Sequence, residues 1–185
     1  MTKFKLSAVA LFAILSCVSL SSQANLSLKD INAANQVSEM IIPAMTEFLG
    51  KPVKLKGISV DEAEAIPLNE INVPNAVCTD YLLASNYMDL YEMSFSLHFG
   101  RESYKDFKNP FANAIKAISF GASDQYSKCL MKEKGLSDEM EAINYMLENM
   151  EKITESDKRF AKLSDFDVAF SVEETVNKIA EMLNK

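Results

Sequence analysis

Apolar residues recur at intervals of three and four along most of the chain, which is the spacing of one face of an α-helix. The first such pattern covers residues 28–49. Ser27 is placed to cap the start of this helix, and Gly50 follows its last turn. Pro43 falls inside the segment, and we expect it to kink or split the helix because proline has no amide N–H.

Four further segments show the same helical spacing. Gly100, Asn109 and Ser137 flank them and are residue types that commonly begin or end helices. The predicted helices cover residues 75–99, 110–134, 138–153 and 172–183. Together with the first helix, they predict an all-α, single-domain bundle of about five main helices joined by short loops, formed by residues 25–185.

Two details of these helices bear on packing. Gly121 lies inside the helix 110–134 and costs it roughly 1 kcal/mol relative to alanine, so we expect another helix to pack closely there. In the helix 138–153, the apolar positions include Met140 and Leu147, and the spacing predicts that they face the core.

Two segments do not fit the helical pattern. In residues 51–75, a capping box favours a short helix at about 60–65, whereas alternation over 51–56 favours a short strand. Residues 154–170 favour a short helix near 157–163 followed by a packed loop, although their last apolar residues alternate like a strand. The sequence leaves both alternatives open.

The N-terminal residues have the three parts of a secretory signal peptide. Two lysines precede an apolar run from Leu6 to Leu20, and Ser22–Ala24 then offers small residues where a signal peptidase cleaves. We therefore expect residues 1–24 to be removed and the mature domain, residues 25–185, to be periplasmic or secreted.

Two other interpretations of this N-terminus remain. The apolar run of about 15 residues is shorter than the roughly 20 that a membrane-spanning helix needs, which argues against an uncleaved anchor. Cys17 is a candidate for lipidation, although Leu15 stands where lipoprotein signals have a small residue. We expect no membrane span in the mature chain.

The chain is acidic, with 19 basic and 26 acidic residues and a formal net charge of −7. Removal of the signal peptide takes away lysines and no acidic residue. Nucleic acids and anionic lipids require a basic surface, so neither is an expected partner. A protein partner with a basic surface of its own would suit this charge.

The mature chain keeps two cysteines, Cys78 and Cys129, and an oxidising compartment favours a disulfide between them. Cys78 lies about as far before the end of the helix 75–99 as Cys129 lies after the start of the helix 110–134. If the two helices form an antiparallel pair, the cysteines lie at the same height. We therefore predict a disulfide that closes this pair.

Motifs for catalysis or cofactor binding are missing from the sequence. Its five glycines are isolated, so they form no phosphate-binding loop, and its one histidine, His98, follows an apolar run. One histidine and two paired cysteines do not supply a usual zinc site, and no metal or cofactor is predicted. Close carboxylates such as Asp165 and Asp167 keep a hydrolase as an alternative.

Aromatic residues are concentrated in residues 81–126, and most of them are expected to pack in the core. Tyr87 and Tyr104 have polar neighbours and are predicted to form an exposed partner surface. The sequence thus favours an exported, non-enzymatic binding protein of the inhibitor, immunity or accessory type, acting through a helical surface on a protein partner in the cell envelope. The alternatives are a cell-envelope hydrolase with a carboxylate pair and a carrier with an apolar pocket inside the bundle.

Overall fold

The computed structural model describes residues 27–61, 66–105, 109–164 and 177. These residues form five helices and a two-stranded sheet, so the prediction of a mostly helical fold is confirmed. The predicted signal peptide lies outside the described residues, as does the predicted helix 172–183 except for residue 177. The elements, in chain order, are α1 (Leu28–Leu49), β1 (Lys54–Asp61), β2 (Ile66–Asn72), α2 (Cys78–Lys105), α3 (Pro110–Lys134), α4 (Glu139–Ser156) and α5 (Arg159–Ser164).

Helix α1 begins and ends at the predicted residues. The Ser27 side chain accepts a hydrogen bond from the Asp30 N–H, and the Asp30 carboxylate accepts one from the Ser27 N–H. Gly50 closes the helix in the left-handed conformation, with φ 65°. Pro43 lies within a continuous helix, so the helix is not split there.

The prediction of an all-α fold is wrong in residues 54–61 and 66–72, which form the two strands of an antiparallel hairpin. Strand β1 pairs with β2 from Lys54 opposite Asn72 to Asp61 opposite Ile66. The predicted short helix at about 60–65 is therefore incorrect at its start, because residues 60 and 61 pair in the sheet, while residues 62–65 lie outside the described residues. A pattern of alternating burial along β2 explains the strand, since one of its faces packs on the helices.

The hairpin packs against α3 at Gly121, where a close approach was expected. A Cβ atom on Gly121 would lie 2.0 Å from the carbonyl oxygen of Asn69 in β2. Asn69 is itself buried, and its side-chain oxygen accepts a hydrogen bond from the Gly57 N–H at 3.1 Å. The glycine therefore permits contact between a helix and a strand backbone, rather than between two helices.

Helix α2 is longer than predicted and continues through Gly100 to Lys105. Helix α3 begins after the predicted Asn109 cap, whose side chain accepts hydrogen bonds from the first N–H groups. The predicted disulfide between Cys78 and Cys129 is present and joins the first residue of α2 to the last turns of α3, with the two Cα atoms 5.4 Å apart.

Further contacts between α2 and α3 follow one order along both helices. The hydroxyl oxygens of Ser85 and Ser123 lie 2.9 Å apart, and Ser119 donates to Asp89 at 3.5 Å. The ring centroids of Phe95 and Phe111 are 4.9 Å apart. From the disulfide onward, the residue numbers of the contacting positions increase along α2 while those of their partners in α3 decrease.

Helix α4 begins one residue later than predicted, because Asp138 rather than Ser137 caps it by accepting a hydrogen bond from the Glu141 N–H. Helix α5 (Arg159–Ser164) covers most of the short helix that was predicted near residues 157–163. None of the helices within the described ranges combines the length and the apolar character that crossing a membrane requires.

A charge cluster fixes α5 to the ends of α1 and α2. Asp80 is completely buried, and its two carboxylate oxygens bind Lys51 at 2.7 Å and Arg159 at 2.8 Å. The Val77 N–H donates to the same carboxylate at 2.8 Å, and Arg159 also donates to the carbonyl of Leu49 at 2.9 Å. The cluster connects three chain segments that are distant in sequence.

Candidate functional site

Tyr87 does not form the exposed surface that the sequence predicted. Its side chain is only 2% exposed, and its ring stacks on Phe48 with centroids 4.6 Å apart. Tyr91 packs edge-on against it at 5.4 Å. Burial raises the pKa of the Tyr87 hydroxyl well above its usual value. The prediction failed because α2 is buried around most of its circumference, so polar neighbours in sequence did not mark a solvent-facing side.

The structure leaves Tyr104 untested, because α2 is described there by its backbone alone. The same holds for His98. The carboxylates of Asp165 and Asp167, which kept the hydrolase alternative open, lie outside the described residues. These assignments remain predictions.

Two exposed apolar side chains lie together on α4. Met140 is 64% exposed and Leu147 is 48% exposed. Residues seven apart in a helix lie on the same side, with Ile143 between them and Met150 one turn beyond, both part-buried. We call the side formed by Met140, Ile143, Leu147 and Met150 the α4 face.

The sequence placed Met140 and Leu147 in the core, and the structure corrects this. Ala142 and Met146 are the buried residues of α4. At about 100° per residue, Met140 and Leu147 lie roughly 120–140° around the helix from the centre of that buried side. The apolar arc of α4 is therefore wider than the surface that the rest of the described fold covers.

Acidic residues border the α4 face on one side. Glu141, Glu148, Glu151 and Glu155 are all exposed. Lys152 is the only basic residue of α4. The Glu141 carboxylate accepts a hydrogen bond from the Ser137 N–H at 2.8 Å, which holds it at the start of the helix. A surface of this kind is complementary, in apolar character and in charge, to a partner whose apolar side chains are bordered by basic residues.

A second group of polar residues is enclosed between α2 and α3. Burial and, to a smaller extent, the negative charge of Glu92 raise the pKa of the Asp89 carboxyl to about 7, against the opposing effect of the hydrogen bond from the Ser119 hydroxyl. Lys116 is 5% exposed, and burial lowers its pKa to about 8 against the opposing attraction of Glu92. Ionisable groups with shifted pKa values often mark functional sites, but they also occur in structural networks.

The raised pKa of Asp89 makes stability depend on pH. The unfolded carboxyl ionises near pH 4 and the folded one near pH 7, so folding stability falls as the pH rises between these values. The full pKa shift of Asp89 corresponds to a loss of stability of about 4 kcal/mol. Because solvent partly screens the charge at this part-buried position, we expect a loss of about 2 kcal/mol. Asp89→Asn should therefore be more stable than the parent at pH 8 and equal to it at pH 4. Urea unfolding at both pH values checks this, and equal stability at pH 8 would show that Asp89 ionises without cost.

The candidate metal ligands within the described residues lie at the disulfide. One ligand atom each from Cys78, Cys129 and Glu133 lies within 4.8 Å of the others. While the two sulfurs are bonded to each other, neither is a thiolate, so this group is not a metal site in the oxidised protein.

Comparison with protein-family models, with curated proteins and with solved structures finds no match for this chain. The sequence analysis did not identify the α4 face. The feature that could have indicated it is that apolar residues cover more of the circumference of α4 than one buried side occupies.

Proposed function

We propose that this protein is an exported, non-enzymatic binding protein whose α4 face binds a protein partner with a basic surface. The observation that carries the proposal is the exposure of Met140 and Leu147 on one side of α4. Each square ångström of apolar surface that a partner covers contributes about 25 cal/mol, so covering these side chains favours association. A helix that presents apolar side chains at this spacing is a common mode of protein recognition.

Charge supports the choice of partner. The exposed glutamates beside the α4 face would attract a basic surface and orient it before contact. A second copy of this chain fits less well, because two acidic borders would repel each other. The partner that suits the surface has an apolar strip flanked by lysine or arginine.

The rest of the fold would act as a rigid support for α4. In this proposal α2 and α3 form an antiparallel pair closed by the disulfide, and the order of the contacts between them supports that arrangement. Helix α4 packs on α3, and its buried residues Ala142 and Met146 belong to the hydrophobic core. Export is supported by the N-terminal sequence pattern and is compatible with the disulfide.

Substitution of the exposed apolar pair tests the proposal. The double variant Met140→Ser/Leu147→Ser should bind its partner at least about 30-fold more weakly, since truncating residues at the centre of an interface costs about 1–2 kcal/mol or more each. Its unfolding midpoint should change little, because both side chains are exposed. A photoreactive phenylalanine derivative at position 147, expressed in cells, identifies the partner by cross-linking, and titration with the purified partner measures the affinity.

Leu28→Ser is the matched control, since Leu28 is an apolar residue that is 75% exposed on a different helix. It should leave the affinity unchanged. A photoreactive residue at position 54, which is exposed on strand β1, should give no cross-link to the same partner. Equal binding by the double variant and the parent would contradict the proposal, as would cross-links from position 147 only to a second copy of this chain.

A further inference from the structure

The disulfide has a carboxylate beside it. Glu133 lies four residues after Cys129 in α3, so the two side chains are on the same side of the helix. The Glu133 Oε2 atom is 3.1 Å from the Cys78 Sγ atom. Two cysteine sulfurs and a carboxylate oxygen are thus collected at one point between the start of α2 and the end of α3.

The Oε2 atom of Glu133 points towards the two sulfurs and is in a position to bind a metal ion together with them. The other oxygen of Glu133, Oε1, binds the Lys134 ammonium at 2.6 Å, which orients the carboxylate with Oε2 towards the sulfurs. Cys78 is buried, Cys129 is part-exposed and Glu133 is exposed. One side of the group is therefore closed by protein, and the other is open to solvent.

We propose that reduction of the Cys78–Cys129 disulfide converts this group into a zinc site with two thiolates and one carboxylate as protein ligands. A dithiol reductant donates two electrons and two protons to the disulfide and is itself oxidised to a disulfide. The two thiols of the protein then lose their protons as Zn²⁺ binds the thiolates.

The ligand set and its position suit this metal. Zinc binds cysteine sulfur and carboxylate oxygen in tetrahedral sites, and three protein ligands leave a fourth position for water. Cys78 is the first residue of α2, where the helix dipole favours a thiolate. Lys134 acts on the metal through Glu133, in the way that outer groups orient ligands in known zinc sites.

Zinc would restore the connection that reduction removes. The disulfide closes a loop between residues 51 apart, so its loss frees the start of α2 from the end of α3 in the unfolded ensemble. A bound zinc ion connects the same two residues. The reduced protein should therefore have a lower melting temperature than the oxidised protein and regain part of the difference when zinc is added.

Titration of the full mature chain with zinc chloride at pH 7.5, under reducing and oxidising conditions, tests the inference. The reduced protein should bind one zinc ion at least about 100-fold more tightly than the oxidised protein, and its melting temperature should rise. Glu133→Gln should weaken binding about 10-fold or more, because changing even a group that only orients a metal ligand costs about that much, whereas Glu151→Gln on α4 should not change it.

Three results would overturn the zinc site. The first is equal zinc affinity in the reduced and oxidised forms, and the second is unchanged affinity in Glu133→Gln. The third applies if reduction unfolds the protein, and it is a helical circular dichroism signal that zinc does not restore. A failure here leaves the α4 proposal untouched, because α4 supplies none of the ligands.

Discussion

Replacing Gly121 with alanine is expected to lower the free energy of unfolding by about 3 kcal/mol, although alanine is the better helix former. The added Cβ would lie 2.0 Å from the Asn69 carbonyl oxygen, far inside van der Waals contact. Because the clashing atom belongs to the β2 backbone, no side-chain rotation relieves the clash, and α3 and the hairpin must separate. The lost contacts outweigh the roughly 1 kcal/mol that alanine gains in a helix. Urea unfolding of the variant measures the difference.

Gly135→Ala separates crowding from other effects of adding a methyl group. Gly135 has φ 68°, and a Cβ there would meet no atom within 4 Å. Its substitution should cost about 1 kcal/mol through backbone strain alone. A Gly121→Ala variant as stable as the parent would show that the hairpin does not pack on α3 as described.

Asp80→Asn is expected to lower the free energy of unfolding by about 3 kcal/mol, because it removes the buried carboxylate charge that binds both Lys51 and Arg159. Burial alone would raise the pKa of Asp80, but hydrogen bonds from Lys51, the Val77 N–H and Arg159 outweigh it and hold the pKa below its usual value. The stabilisation is therefore complete above the unfolded pKa of about 4 and is lost as the pH falls through the folded pKa.

The pH dependence distinguishes this effect from a simple packing defect. The difference in stability between the parent and Asp80→Asn should be largest above about pH 5 and should shrink towards pH 2. Glu70→Gln is the control, because Glu70 binds Lys56 at 2.7 Å on the surface and its loss should leave the unfolding midpoint nearly unchanged. A difference that stays constant down to pH 2 would mean that the Asp80 charge contributes nothing.

Local signals in the sequence correctly predicted both ends of α1 and the start of α3, and this has a physical reason. Ser27, Gly50 and Asn109 act within one turn of the helix end that they cap, so their effect can be deduced from neighbours in sequence. The disulfide followed from the positions of Cys78 and Cys129 along two helices of similar length.

The failures involve partners that are distant in sequence. The hairpin pairs segments rich in turn residues, and its stability comes from packing on α3, which local spacing does not encode. Gly121 signalled a close approach, but the expected neighbour was a helix, whereas the structure places the β2 backbone there. Tyr87 was assigned to the surface from its neighbours in sequence, whereas the amount of α2 that is buried depends on the whole fold.

The sequence-based assignment of the α4 residues was wrong for a related reason. The helical spacing of Met140 and Leu147 correctly predicted that they share one side of α4. Periodicity does not say how much of an apolar arc the rest of the protein covers, so the sequence assigned both residues to the core. The structure was needed to find the part of that arc left exposed.

Hydrogen–deuterium exchange of the protein, free and bound to its cross-linked partner, tests the central claim most directly. The amides of α4 and the flanking residues of α3 are expected to exchange more slowly in the complex, while the hairpin and α1 exchange at unchanged rates. Protection confined to the hairpin or α1, with α4 unaffected, would contradict the assignment of the α4 face as the binding surface.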